Sequence, residues 1–182
     1  MNQIPPEAGR LHIRSLTPED YPLYDQWEAD LHRMHVEARP DLFCPLEHPV
    51  PQEQYLEELN DCHELRLLAE VDGAPAGMCS FTLREAPGSP LLKPDKSLYV
   101  VDLYVAPAFR RQGVASALLA EGERQGRAFG AKRLSLTVWP FNQQALQFYQ
   151  RAGAGNPLLH PGKGAGTPFF WNKVNRHFWL LQ

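Results

Sequence analysis

Residues 97 to 116 read SLYVVDLYVAPAFRRQGVAS and hold the residues whose types and spacing suit chemistry. The run from Ser97 to Val105 is apolar and rich in Val, Tyr and Leu, as a buried strand requires. Pro107 ends its ladder, because proline has no N–H to donate. Arg110, Arg111, Gln112 and Gly113 follow, and then Val114, Ala115 and Ser116 open an alanine- and leucine-rich segment with high helix propensity. A strand therefore runs through a basic turn into a helix N-terminus, whose unpaired N–H groups and positive dipole end attract phosphate. Gly113 permits close backbone approach, and Arg110 and Arg111 add permanent positive charge. The pattern is that of a diphosphate cradle. Asp102 is the anomaly within the strand, since an acid in an apolar run needs a partner or a task. Two readings stand open for it: a group that holds or deprotonates a cationic substrate, and one half of a structural ion pair.

The elements that must position these residues are legible on either side. Leu11 to Leu16 alternates as a first strand, and Thr17, Pro18 and Glu19 supply a cap, an early proline and an acid for a helix reaching about Val36. Tyr24, Trp27, Leu31 and Met34 fall at helical spacing along it. Arg39-Pro40 breaks the pattern and a proline-rich loop follows, then a second helix from Pro51 to about Cys62. A strand is expected from Arg66 to Val71, a turn at Asp72-Gly73, and an antiparallel partner from Pro75 to Leu83. Beyond the cradle a helix is expected to about Phe129, a strand over Lys132 to Val138, and a helix that begins at or near Asn142 and ends at Gly153. The aromatic segment 168–182 is expected to form the last strand and is a candidate dimer surface, so a homodimer is a possible assembly.

Two motifs in this order resemble the GNAT (GCN5-related) N-acetyltransferases. The first is L-x-V-x-P-x-x-R-x-x-G-x-A, carried by Leu103, Val105, Pro107, Arg110, Gly113 and Ala115. The second is N-x-x-A-x-x-F-Y-x-x-x-G, carried by Asn142, Ala145, Phe148, Tyr149 and Gly153, with Ala154 where the family usually has Phe. The resemblance covers residues 66 to 155 most closely and implies an α/β fold in a single domain over residues 1–182. Its mixed central sheet would splay between the fourth and fifth strands and carry helices on both faces. It also implies acetyl-CoA as co-substrate. Leu103, Tyr104 and Val105 would lie along the pantetheine, Arg110, Arg111, Gln112, Gly113, Val114, Ala115 and Ser116 would hold the diphosphate, and Asn142 would lie near the thioester. Tyr149 becomes the candidate acid for the departing thiol, with a core aromatic as the other reading, and Asp102 the candidate base, with Glu70 and Glu85 as lesser ones. In this family the two early helices wall the acceptor site. Trp27, Glu28, His35 and Phe43 are therefore candidate acceptor contacts, with Tyr24 and Asp41 beside them, although core packing accounts equally for the aromatics.

Composition narrows the acceptor. A net charge of −3 argues against nucleic acid and mildly favours a cationic small amine. A protein N-terminus or lysine, an aminoglycoside-like drug, and a CoA-binding sensor without catalysis remain open. No apolar run is long enough to span a bilayer, and the polar start MNQIPPEAGR lacks a secretory core, so a cytoplasmic, membrane-free protein is expected. The 3 cysteines, Cys44, Cys62 and Cys79, show no framework spacing and are expected to be reduced thiols. His32, His35, Glu37, Cys44 and His48 match no established ligand spacing, and no metal is expected.

Overall fold

A computed structural model describes residues 10–91 and 93–151. Two units divide between Leu136 and Thr137. In the first, strands β1 (Leu11–Ser15), β2 (Glu64–Val71), β3 (Ala74–Ala86), β4 (Asp95–Val105) and β5 (Arg133–Leu136) form a sheet in that order. All pairs are antiparallel except β4–β5, which is parallel. Helices α1 (Tyr21–Ala38) and α2 (Gln52–Asn60) precede β2, and α3 (Val114–Ala128) makes the right-sized crossover between the two parallel strands. The turn between β2 and β3 has positive φ at both Asp72 and Gly73, as a two-residue hairpin loop needs. Helix α4 (Gln143–Arg151) belongs to the second unit. The strand and dimer surface expected over 168–182, and the helix stop at Gly153, lie outside the described residues.

Two different cores form on the two faces of the sheet. On the α3 face, Phe81 is fully buried and lies against Gly122, where an added Cβ would sit 2.2 Å from the ring. That glycine is what lets α3 lie so close to the sheet. On the other face Tyr24 and Trp27 of α1 and Tyr55 of α2 pack with Leu68, Met78 and Tyr104. The Trp27 and Tyr104 rings stack at 5.1 Å, and those of Tyr24 and Tyr55 meet at 4.7 Å. The Tyr55 hydroxyl donates to the Thr17 carbonyl at 2.6 Å and that of Tyr104 to Asp30 at 3.0 Å, so both of these phenols are satisfied. Arg14 fastens the start of this layer by bridging Asp20 at 2.7 Å and Glu70 at 3.1 Å, and holds the Asp20 carboxyl down to about 2.

A bulge in β4 decides which core each of its residues joins. Val100 lies opposite Phe81 and Asp102 opposite Ser80, so Val101 is an extra residue. Leu98 and Val100 precede the bulge and share the Phe81 face. Asp102 follows it and shares a face with Tyr104, whose partner Met78 packs under α1 and α2. With unbroken alternation Leu98, Val100 and Asp102 would all share one face. The bulge thus moves the acid out of the apolar α3 core.

Candidate active site

The cradle forms where β4 leaves the sheet. Strand β5 pairs with β4 only from Ser97 to Val100, and β4 continues to Val105. Ala106, just past the end of β4, donates its N–H to the Ala76 carbonyl of β3, so by alternation the backbone groups of Val105 and Leu103 face the opposite edge. Tyr104 differs from the expectation for a cofactor contact: its backbone faces β3 and its side chain is in the α1/α2 core. The Val105 carbonyl accepts from Arg110 Nε at 3.0 Å, and Gln112 Nε2 donates to the Ala108 carbonyl at 2.9 Å. These bonds tie the basic turn to the short 3-10 helix Pro107–Phe109.

Arg111 and Gly113 both adopt positive φ, at 63° and 85°, which turns the chain sharply into α3. Ala117 N–H reaches the Gly113 carbonyl at 3.0 Å, leaving the N–H groups of Val114, Ala115 and Ser116 without intrahelical acceptors. No side chain caps α3 and its first turn carries no acid. At Gly113 an added Cβ would meet nothing within 4 Å, so the turn is open on the side a ligand would use. Arg110, Arg111, Gln112 and Ser116 are exposed, whereas the Val114 side chain is buried and contributes through its backbone alone.

On the α1/α2 face the structure gathers charge that apolar packing does not need. Glu28 is only 7% exposed, and its Oε1 has no hydrogen-bond partner among the described residues. Burial, then the neighbouring Asp102, push its carboxyl well above the ordinary range, and Arg66 opposes the shift. Asp102 is half-buried, and burial likewise raises it, with Arg66 and His35 pulling the other way. Arg66 is itself buried and ion-paired with Glu58 and, at 3.0 Å, with Glu64. Thr82 donates to the same Glu64 carboxylate at 3.0 Å. Ser80 Oγ and Arg66 Nε are buried without partners among the described residues. The hydrogen bonds of the guanidinium go to Glu58 and Glu64, while its charge still acts on Glu28 and Asp102, and Tyr24 hydrogen-bonds Glu28. Arg66, Glu58 and Glu64 were not singled out by the sequence, though an arginine in the apolar run LRLL is the same anomaly as Asp102.

The other expected acceptor contacts divide. Trp27 is buried in the core on Tyr104. His35 hydrogen-bonds the Leu31 carbonyl through Nδ1 at 2.8 Å, packs on Phe43 at 5.3 Å and acts electrostatically on Asp102. Tyr24 is core, and Asp41 is an exposed partner of Arg39 at 2.7 Å. Glu70 is committed to Arg14 and Glu85 to Lys96 at 2.6 Å. His32 is held by the Cys44 carbonyl at 2.7 Å and His48 by Asp25 at 2.7 Å, so these histidines do not converge. Within the second unit Asn142 Oδ1 accepts from Ala145 N–H at 3.1 Å, capping α4, and Tyr149 is buried beside Phe148 at 5.1 Å.

The model of the acetyltransferase (GNAT) family matches residues 19–154, well over half of the chain. The chain belongs to the GNAT family. It is 34% identical over 62 residues to an uncharacterized N-acetyltransferase, YdgE, of Bacillus subtilis, covering 34% of this chain and 40% of that one. It is 30% identical over 59 residues to the thialysine N-ε-acetyltransferase of Bos taurus, covering 32% and 35%. These stretches span less than half the length of either relative. Among solved structures, a mutant of the BH1408 protein from Bacillus halodurans aligns with a TM-score of 0.75 at 23% identity, over 86% of this chain and 98% of that one. The AAC(6')-Iy structure in complex with the bisubstrate analog CoA-S-monomethyl-acetylneamine aligns at 0.62 and 19%, over 90% and 98%. The GNAT fold accounts for the mixed sheet, the parallel β4–β5 pair and the helices flanking it. No described helix is long and apolar enough to cross a membrane.

Proposed function

We propose that the chain transfers the acetyl group of acetyl-CoA directly to the primary amine of a small cationic acceptor. The observation that carries the acceptor class is the pair of acids Glu28, buried with Oε1 unpartnered among the described residues, and Asp102, half-buried, while the hydrogen bonds of Arg66 go to Glu58 and Glu64. Two acids in that position are unfavourable alone and are relieved by an ammonium group. The thialysine N-ε-acetyltransferase and the aminoglycoside N-acetyltransferase AAC(6')-Iy among the similar proteins are named for small amine acceptors, which agrees with this reading.

The residues of the cradle fit acetyl-CoA. The free N–H groups of Val114, Ala115 and Ser116 and the charges of Arg110 and Arg111 suit its diphosphate, and the outward backbone of Leu103 and Val105 suits the amides of its arm, as an added strand would. Bound acetyl-CoA supplies an activated thioester carbonyl. Asp102 takes the proton of the acceptor ammonium, directly or through water. A primary amine with pKa near ~10.4 costs roughly 4.6 kcal/mol to deprotonate at neutral pH, and a carboxyl raised by burial is a better base for that task than an ordinary one. The amine nitrogen then bonds to the acetyl carbon as the carbon–sulfur bond breaks, the second proton that the nitrogen sheds passes through water to the departing thiolate, and Tyr149 is the proposed O–H donor to that sulfur. Replacing that hydroxyl by hydrogen in Tyr149→Phe is expected to lower kcat by about ten- to a thousand-fold with cofactor affinity retained.

Thiol release from acetyl-CoA, measured across a panel of mono- and polyamines with mass spectrometry of the product, tests the activity. Gly113→Glu tests the cradle by opposing the diphosphate and by closing the backbone approach. Gly73→Glu is its matched control, since Gly73 also has positive φ, at 78°, with open space around it. Loss of CoA-induced thermal stabilisation in the first variant and its retention in the second is the expected result. Equal CoA stabilisation in both would place the cofactor elsewhere, and acetylation of peptides alone would overturn the small-amine reading.

A further inference from the structure

The junction between α2 and β2 holds a chemistry-bearing cluster unrelated to acetyl transfer. Asp61, Cys62 and His63 are consecutive, yet their ligating atoms all lie within 4.8 Å of one another. His63 Nδ1 is 3.3 Å from Asp61 Oδ1 and 3.5 Å from Cys62 Sγ. Both contacts fall on the same ring nitrogen. A nucleophilic Cys–His–Asp relay needs the two partners on opposite nitrogens, so this is not one. Convergence on one atom is instead the geometry of chelation.

The separations fit a cation. Zinc bonds of about 2.0–2.3 Å in a tetrahedron require ligand atoms about 3.3–3.7 Å apart. The two edges, 3.3 Å to oxygen and 3.5 Å to sulfur, fall in that interval, with the longer one to the larger atom. The loop is already set: Asp61 Oδ1 accepts the His63 backbone N–H at 2.8 Å, and the His63 carbonyl accepts from Leu83 N–H at 2.7 Å. The same three residues line a cavity of about 260 Å³ whose apolar wall includes Leu65, Leu83 and Phe129.

We infer that Asp61, Cys62 and His63 bind a borderline divalent cation of the zinc class, as three protein ligands with the fourth position open to the cavity. Thiolate, imidazole and carboxylate together suit zinc or cobalt and not calcium or magnesium, which take oxygen ligands only. The adjacent Glu64 also lines the cavity and pairs with Arg66.

Cobalt titration of the tag-free full chain under reducing conditions tests the inference. A one-to-one complex with a thiolate-to-cobalt charge-transfer band is expected, displaced by zinc and insensitive to magnesium. Cys62→Ser should remove the band and weaken zinc binding at least ten-fold, and His63→Ala should weaken it similarly, with unchanged circular dichroism. Cys44→Ser alters the other exposed thiol and should leave both readouts intact. Absence of a band at millimolar cobalt, or a band that survives Cys62→Ser and vanishes in Cys44→Ser, would overturn the assignment. None of these readouts depends on acetyl transfer.

Discussion

The two faces of the sheet are built to opposite rules. Under α3 the core is apolar and closed: Phe81, Leu67 and Leu118 are fully buried, and Gly122 removes even the space for a methyl group. Under α1 and α2 an aromatic layer gives way at one end to buried Glu28, Arg66, Ser80 and Thr82 with Asp102 beside them. A chain selected for stability alone would repeat the first arrangement on both sides, because desolvating paired charges returns little or nothing relative to apolar packing. The polar end of the second face is the acceptor side of the proposed reaction. The bulge at Val101 makes the difference possible by moving Asp102 from one environment to the other.

The largest effect that separates the faces is expected at Arg66. Arg66→Ala leaves the buried Glu64 carboxylate and its neighbours without their guanidinium, and should cost about 3–5 kcal/mol in urea denaturation. A loss below about 1 kcal/mol would show that water reaches the cluster freely and that this face is not a desolvated site. Gly122→Ala comes next. Its Cβ would overlap the Phe81 ring, which is fully buried and has nowhere to move, so about 1–3 kcal/mol of stability should be lost with acceptor KM unchanged. If KM moved as well, the two faces would be mechanically linked and the division drawn between them would fail.

These same residues show what was legible in the chain. The strand–turn–helix of the cradle is written in adjacent letters, and Pro107, Gly113 and the alanine-rich run located it to within a residue or two. The element order through β5, and Asn142 as the α4 cap, follow from local chemistry in the same way. The acid cluster did not appear, because it joins Glu28 on α1, Glu58 on α2, Arg66 on β2 and Asp102 on β4. No local pattern records those meetings. The bulge is equally silent, since the apolar run YVVDLYV carries no letter that marks an extra residue. Trp27 illustrates the converse, a residue equally suited to a ligand wall or a core, which only packing assigns to the stack on Tyr104.

The smallest effect is the most discriminating, and it concerns Glu28. Burial and the nearby Asp102 raise its folded-state pKa, whereas the unfolded chain titrates near the ordinary ~4.3. Between those two values the folded state holds more protons than the unfolded one, so the stability present at low pH is lost as pH rises through the window. Glu28→Gln removes this titration and keeps the side chain's size. The variant should be about 1 kcal/mol more stable at neutral pH, in the range that relieving a strained functional site commonly gives. Its stability should also fall less steeply with pH above ~4.3, though some slope must persist because burial raises Asp102 in the same direction. Acceptor KM for a cationic amine should rise while CoA affinity, which rests on the cradle, stays unchanged. A Gln variant that is less stable at neutral pH, with the original pH slope, would instead make Glu28 a structural partner of Arg66. The polar face would then serve folding, and the contrast with the α3 face would no longer point to an acceptor.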